Sequence, residues 1–186
     1  MFLRTKEVKG NSYLYAVENT WKKKKGVKQK VKRYLGRVHT FRESKKKVEF
    51  EEFLNLHYNF EFEGYLDNNE PDRIVSDLVR WELYKKGFSL AEDGSMKRKK
   101  LIINTNNKRN VLSYNGRPFS IKSGEGFLNN LSINTIMKYE LKAGGEWEGD
   151  IDKRKIGMKL ARMFVDGGIK IPQEVFVSLF EKKFLD

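Results

Sequence analysis

The sequence predicts an α+β fold, with an N-terminal three-stranded antiparallel basic β-meander followed by a mostly helical body that carries an additional β-hairpin. Three observations predict it. Apolar and polar residues alternate with period two over much of residues 2 to 38, the spacing of strands whose two faces differ. Past residue 40, apolar residues recur at helical spacing in segments opened by a capping residue or Pro and closed by Gly. Asn115-Gly116, between two β-prone runs, is the strongest short hairpin signal in the chain.

In the meander, strands are expected over Phe2 to Val8, Ser12 to Thr20 and Val27 to Val38. Lys9-Gly10-Asn11 supplies residues that tolerate positive φ for the first turn, and Lys22-Lys23-Lys24-Lys25-Gly26 forms a longer basic tip. In the third strand Val27, Gln29, Val31, Arg33 and Leu35 alternate with Lys28, Lys30, Lys32 and Tyr34, which sets three lysines and a tyrosine on one face. In the second, Tyr13, Tyr15 and Val17 share a face and Leu14 and Ala16 share the other.

The body is expected to start with a helix from about residue 40 to 57, because Thr40-Phe41-Arg42-Glu43 fits a capping box. Gly64 to Asn69 reads as a linker. Pro71 suits the first turn of a second helix, with Ile74, Val75, Leu78, Val79 and Leu83 on its apolar side and Gly87 at its end. A polar stretch with a second basic run, Lys97 to Lys100, leads into a hairpin near 101 to 121. Ser132 to Leu141 reads as a short helix or strand. Helices are expected again near 150 to 165, capped by Asp150 or Asp152, and near 172 to 184, opened by Pro172. The two expected units are residues 1 to 39 and 40 to 186.

Composition excludes several classes. There is no cysteine, which removes disulfides, thiolate nucleophiles and cysteine-ligated zinc, and His39 and His57 are the only imidazoles. No metal and no cofactor is expected. No apolar run approaches the roughly 18 to 20 residues of a membrane helix, so a soluble, cytoplasmic protein without a membrane partner is expected. The net charge of +13 is located, not spread. Residues 1 to 47 hold sixteen Lys/Arg against Glu7, Glu18 and Glu43, while basic and acidic residues cancel in the remainder. An excess confined to one quarter of a chain is a directed field for polyanions.

The run Phe2-Leu3-Arg4, Lys9-Gly10-Asn11-Ser12-Tyr13-Leu14-Tyr15-Ala16-Val17-Glu18, Gly26-Val27-Lys28-Gln29-Lys30-Val31 and Tyr34-Leu35-Gly36 resembles the small β-rich N-terminal region of DDE-type insertion-sequence transposases and of related stand-alone archaeal proteins. The resemblance covers about residues 2 to 38. It implies a nucleic-acid-binding β-module and does not carry transposase chemistry, because the body shows no convincing match to the catalytic motifs.

The expected function is therefore a non-catalytic nucleic-acid-binding protein that grips phosphate through the meander. Its candidate contacts are Arg4, Lys6, Lys9, Trp21, Lys22, Lys23, Lys24, Lys25, Lys28, Lys30, Lys32, Arg33 and Arg37, together with Lys45, Lys46 and Lys47 and the second run Lys97, Arg98, Lys99 and Lys100. The partner is duplex DNA, as the resemblance implies, or ribosomal RNA, with the neutral body left for a protein partner or a second copy. Core packing is the favoured reading for Tyr13, Tyr15 and Tyr34, whereas Trp21 is placed for a base or sugar contact. A weaker alternative is a magnesium nuclease, since Pro71-Asp72 and Glu140-Leu141-Lys142 match its carboxylate and lysine signature as bare letters.

Overall fold

A computed structural model describes residues 1–22, 26–44, 47–58, 61–104, 111–114, 117–139 and 150–185. The chain is α+β. The meander forms where alternation and turn chemistry place it, as β1 (Phe2–Val8), β2 (Asn11–Lys22) and β3 (Gly26–Thr40), antiparallel in sequence order. Lys9 and Gly10 close the first turn with φ of 50° and 72°, backbone that Gly adopts without steric cost.

The body follows with α1 (Phe50–Tyr58), α2 (Phe62–Asn68), α3 (Pro71–Lys85), β4 (Ser89–Leu90), β5 (Met96–Arg98), β6 (Leu101–Asn104), β7 (Val111–Tyr114), β8 (Arg117–Ser123), β9 (Gly126–Leu128), α4 (Asn130–Met137), α5 (Asp150–Gly167) and α6 (Gln173–Phe184). The strands join one sheet in the order β1-β2-β3-β8-β7-β6-β5-β4, with β9 also on β8. The β7–β8 ladder sets Tyr114 opposite Arg117; Asn115-Gly116 lies outside the described residues.

Two expectations are corrected. Thr40 is not a helix cap: β3 continues through Arg37–Thr40 as a parallel partner of Phe119–Lys122 in β8, and the helix starts ten residues later at Phe50. A long-range ladder thus overrides a local capping signal, and the Glu43 carboxylate instead meets the Lys86 ammonium at 3.4 Å. The stretch read as a linker holds α2, whose end is tied down when the Asn68 and Asn69 side-chain amides donate to the Gly64 and Tyr65 carbonyls. Of the helix or strand expected from Ser132, the helix forms as α4, capped by the Asn129 carboxamide accepting from the Leu131 and Ser132 amides. The β3–β8 ladder also crosses the division at residue 39 that composition suggests.

Helix α3 forms the centre of the core. Ile74, Val75, Leu78, Val79, Trp81 and Leu83 are buried among Phe50, Phe53 and Leu54 of α1, Tyr65 of α2, the inner residues of β5 to β9, and Leu160, Phe164, Val175 and Leu179 of α5 and α6. Each fully buried aliphatic side chain contributes about 1.5 to 3 kcal/mol. The charges that α3 buries are paired: Asp77 accepts from Tyr58, Tyr65, Arg73 and Arg80, and Glu82 accepts from Lys85, Ser123 and the Lys170 amide. The meander has a far smaller core, in which Leu14, Ala16 and Leu35 pack against Leu3, Val38 and, from the body, Phe127 and Leu131.

Candidate nucleic-acid interface

The length difference among the first three strands creates the interface. β1 begins at Phe2, which pairs with Val17, so from Glu18 onward β2 has β3 as its one neighbour. Glu18–Lys22 and Gly26–Lys30 therefore project as a two-stranded ribbon about 17 Å long. Both its faces are exposed: Trp21 is 69% accessible and Val27 64% on one, and Lys28 and Lys30 are exposed on the other.

Register assigns side chains to two faces. On one, Lys28 and Lys30 lie across from Thr20 and Glu18, and Lys32 joins them by an ion pair to Glu18 at 2.8 Å. That contact holds the Glu18 carboxyl below its usual range, the hydrogen bond from Lys32 being the main cause. The Thr20 hydroxyl donates to the Lys28 carbonyl at 3.0 Å and ties the ribbon together. Lys28, Lys30 and Arg33 are exposed and make no ion pair among the described residues.

The opposite face carries the aromatic side chains in cross-strand rows, exposed at Tyr34, Val31, Val27 and Trp21, half-buried at Tyr13 and Tyr15, and buried at Val17. Lys6, Tyr13 and Arg37 form one row, Arg4, Tyr15 and Tyr34 the next, Phe2, Val17 and Val31 a third, Asn19 and Gln29 a fourth, and Trp21 with Val27 the last. The expectation that Tyr34 sides with the lysines is corrected here. β3 carries two register shifts, between Leu14/Tyr15 and Ala16/Val17 of its partner. The extra residue at the second shift, Lys32, reverses the alternation and brings Tyr34 to the Tyr13 and Tyr15 face; the extra residue at the first, Leu35, is buried, and Arg37 beyond it comes opposite Tyr13. The three rings cluster, with Tyr34 6.4 Å from Tyr13 and 5.4 Å from Tyr15 between centroids. Core packing of these tyrosines is corrected too, since Leu14, Ala16 and Leu35 fill the core from the other side and Tyr34 remains 44% accessible. Arg4 donates across β2 to the Gln29 side-chain oxygen, bracing its guanidinium over this face.

One basic residue of this face escapes a strand-by-strand reading. Arg117 opens β8 beside β3, close enough for its charge to lower the Tyr34 phenol, though burial outweighs it and the net shift is upward. Only the parallel β3–β8 pairing brings the two together, so no local signal announces it.

Lys9 is exposed in the β1–β2 turn, and Lys22 ends β2 opposite Gly26. Lys23, Lys24, Lys25, Lys45 and Lys46 lie outside the described residues. Lys47 is exposed beside a cleft it shares with Glu43, Glu49, Lys85 and Lys170. The second basic run is not part of the ribbon: β8, β7 and β6 separate β5 from β3 in the sheet. Within that run Lys97 meets Asp93 at 3.7 Å, and Arg98 lies 4.4 Å from the Phe41 ring centroid. Lys99 and Lys100 form the exposed β5–β6 turn.

The histidines are packing residues. His39 stacks on Phe41 and meets Phe119 edge-on; His57 lies among Phe53, Tyr58 and Tyr84. Burial lowers both imidazoles. Asp72 is exposed in the first turn of α3, while Glu140 and Lys142 lie outside the described residues. Among the described residues no cluster of His, Asp and Glu fits a metal ion, and no helix is long and apolar enough to cross a membrane. No family model, curated protein or solved structure matches the chain.

Proposed function

We propose that the protein binds nucleic acid without catalysing a reaction on it, taking phosphate on the lysine face of the β2–β3 ribbon. The observation that carries this is the ribbon itself: Lys28 and Lys30, two residues apart on one face of a projecting arm, with Glu18 the acidic residue paired across from them. Phosphates satisfy such ammonium groups and release condensed counterions, which makes affinity favourable and steeply salt-dependent. The ribbon also matches a shape that nucleic acid accepts, since the major groove of B-DNA admits a two-stranded β-ribbon. The transposase-like segment spans this same arm, which favours duplex DNA; ribosomal RNA is the alternative nucleic-acid partner, with the body free for a protein or a second copy.

Competition among duplex DNA, single strands and ribosomal RNA for the whole protein at two salt concentrations tests the proposal. Saturable binding that weakens strongly with salt is expected. Absence of binding to every one of them at low salt would remove the reading.

A further inference from the structure

We propose that the aromatic face of the meander, opposite the lysine face, is a stacking site for unpaired nucleotides. The proposal rests on the nucleic-acid reading above and names the strand state recognised at this second face.

A soluble sheet usually turns its aromatic face inward. Here the inward face is already occupied by Leu3, Leu14, Ala16 and Leu35, and the tyrosines lie on the outside. Their placement is determined by the backbone: one extra residue in β3, at Lys32 between Val31 and Arg33, turns Tyr34 to the Tyr15 side. Cations flank the rings in register, Lys6 and Arg37 on either side of Tyr13 and Arg4 beside Tyr15, with Arg117 near Tyr34. Successive rows are two residues apart, about 6.8 Å, and the exposed Trp21 stands three rows beyond Tyr15 at the ribbon end, past Val17 and Asn19.

That combination suits one class of ligand. A base offers a π face to a ring whatever its identity, and each nucleotide brings one phosphate to a neighbouring cation. A protein partner would be matched by apolar surface with few charges at its centre; this face sets Lys6, Arg4 and Arg37 in the same cross-strand rows as its rings. Paired bases stack on one another and present no free face, so a duplex cannot use the tyrosines. Phosphate on the lysine face and bases on the tyrosine face are thus separable contacts of the same three strands.

The test uses the full-length protein with single strands of about 12 nucleotides, oligo-U and oligo-dT, and a duplex of equal length. Replacing Tyr15 and Tyr34 with Leu is expected to lower single-strand affinity at least tenfold and duplex affinity less than twofold, while Tyr15→Phe with Tyr34→Phe keeps single-strand binding. Wild-type protein photocrosslinked to 5-iodouracil strands should carry the adduct on Tyr13, Tyr15, Tyr34 or Trp21, a measurement that does not depend on the variants folding. Equal loss for both strand states, no loss, or adducts confined to other residues would overturn the proposal, as would self-association through this face that single strands fail to displace. Comparison of the two oligonucleotides separates RNA from DNA as the source of the unpaired bases. Lys28→Ser with Lys30→Ser distinguishes the two readings: if it weakens binding and the tyrosine variants do not, the phosphate grip stands and the stacking site falls.

Discussion

Tyr34 faces Tyr15 across the β2–β3 ladder, ring centroids 5.4 Å apart, while its chain neighbour Leu35 is buried with Leu14 and Ala16 on the other side of the sheet. Adjacent residues thus serve solvent and core, and the next residue explains why they stay there. Gly36 has φ of +100°, and a Cβ on it would stand 2.0 Å from the Pro118 carbonyl oxygen. Only glycine lets β3 pass β8 closely enough to begin the parallel ladder at Arg37 and Phe119.

Gly36→Ala is therefore expected to destabilise the protein by about 2 to 4 kcal/mol, from positive-φ strain added to a backbone clash. Urea denaturation checks it. Gly10→Ala, where φ is +72° but nothing lies within 4 Å, should cost less.

How far these features were legible depends on whether the cause was local. The three strands of the meander and α3 are bounded by residues that act on their own neighbours, Lys9-Gly10, Gly26, Pro71 and Gly87, and they form within two or three residues of expectation. Thr40 and Glu43 carry an equally good local signal, yet the hydrogen bonds offered by β8, some eighty residues away, outweigh it. The candidate site divides the same way. Alternation correctly set Lys28, Lys30 and Lys32 on one face, but no sequence signal marks the bulge that moves Tyr34, or the strand pairing that supplies Arg117.

The Glu18–Lys32 pair limits the positive field of the ribbon. Glu18→Gln should raise affinity for duplex DNA several-fold and steepen its salt slope by up to about one phosphate equivalent. Stability should change by less than about 1 kcal/mol, since exposed ion pairs contribute little. Fluorescence anisotropy at several salt concentrations and thermal melts measure both.

Asp77 is buried and accepts four hydrogen bonds, including one from Arg80, itself 2% accessible. Asp77→Ala removes the carboxylate that neutralises the buried Arg80 guanidinium, with an expected loss of about 3 to 5 kcal/mol. Tyr65→Phe removes one donor and leaves the ion pairs, so its loss should be nearer 1 kcal/mol. Chemical denaturation of both variants separates the charge from the hydrogen bond.

Burial lowers the His39 and His57 imidazoles below the ordinary value near 6.5. The unfolded chain then binds these protons first as pH falls. Stability from the neutral rings is complete above about pH 6.5 and drains away as pH drops through the lowered folded values. Phe at both positions should flatten the decline between pH 7 and 5. An identical decline in the double variant would assign it to other groups.

Trp21 is 69% accessible and Trp81 is 1% accessible. Binding a single strand should quench the red-shifted emission of the first and leave the second unchanged. Trp21→Phe should abolish most of the binding-induced change, which titration by fluorescence reads directly.

The slope of log affinity against log salt for duplex DNA measures phosphates engaged and tests the central claim most directly. Wild-type protein and Lys28→Ser/Lys30→Ser should differ by about 1.8 in that slope, near 0.9 for each lost phosphate contact, with melting temperatures unchanged. Equal slopes at equal affinity would contradict a lysine face that holds phosphate.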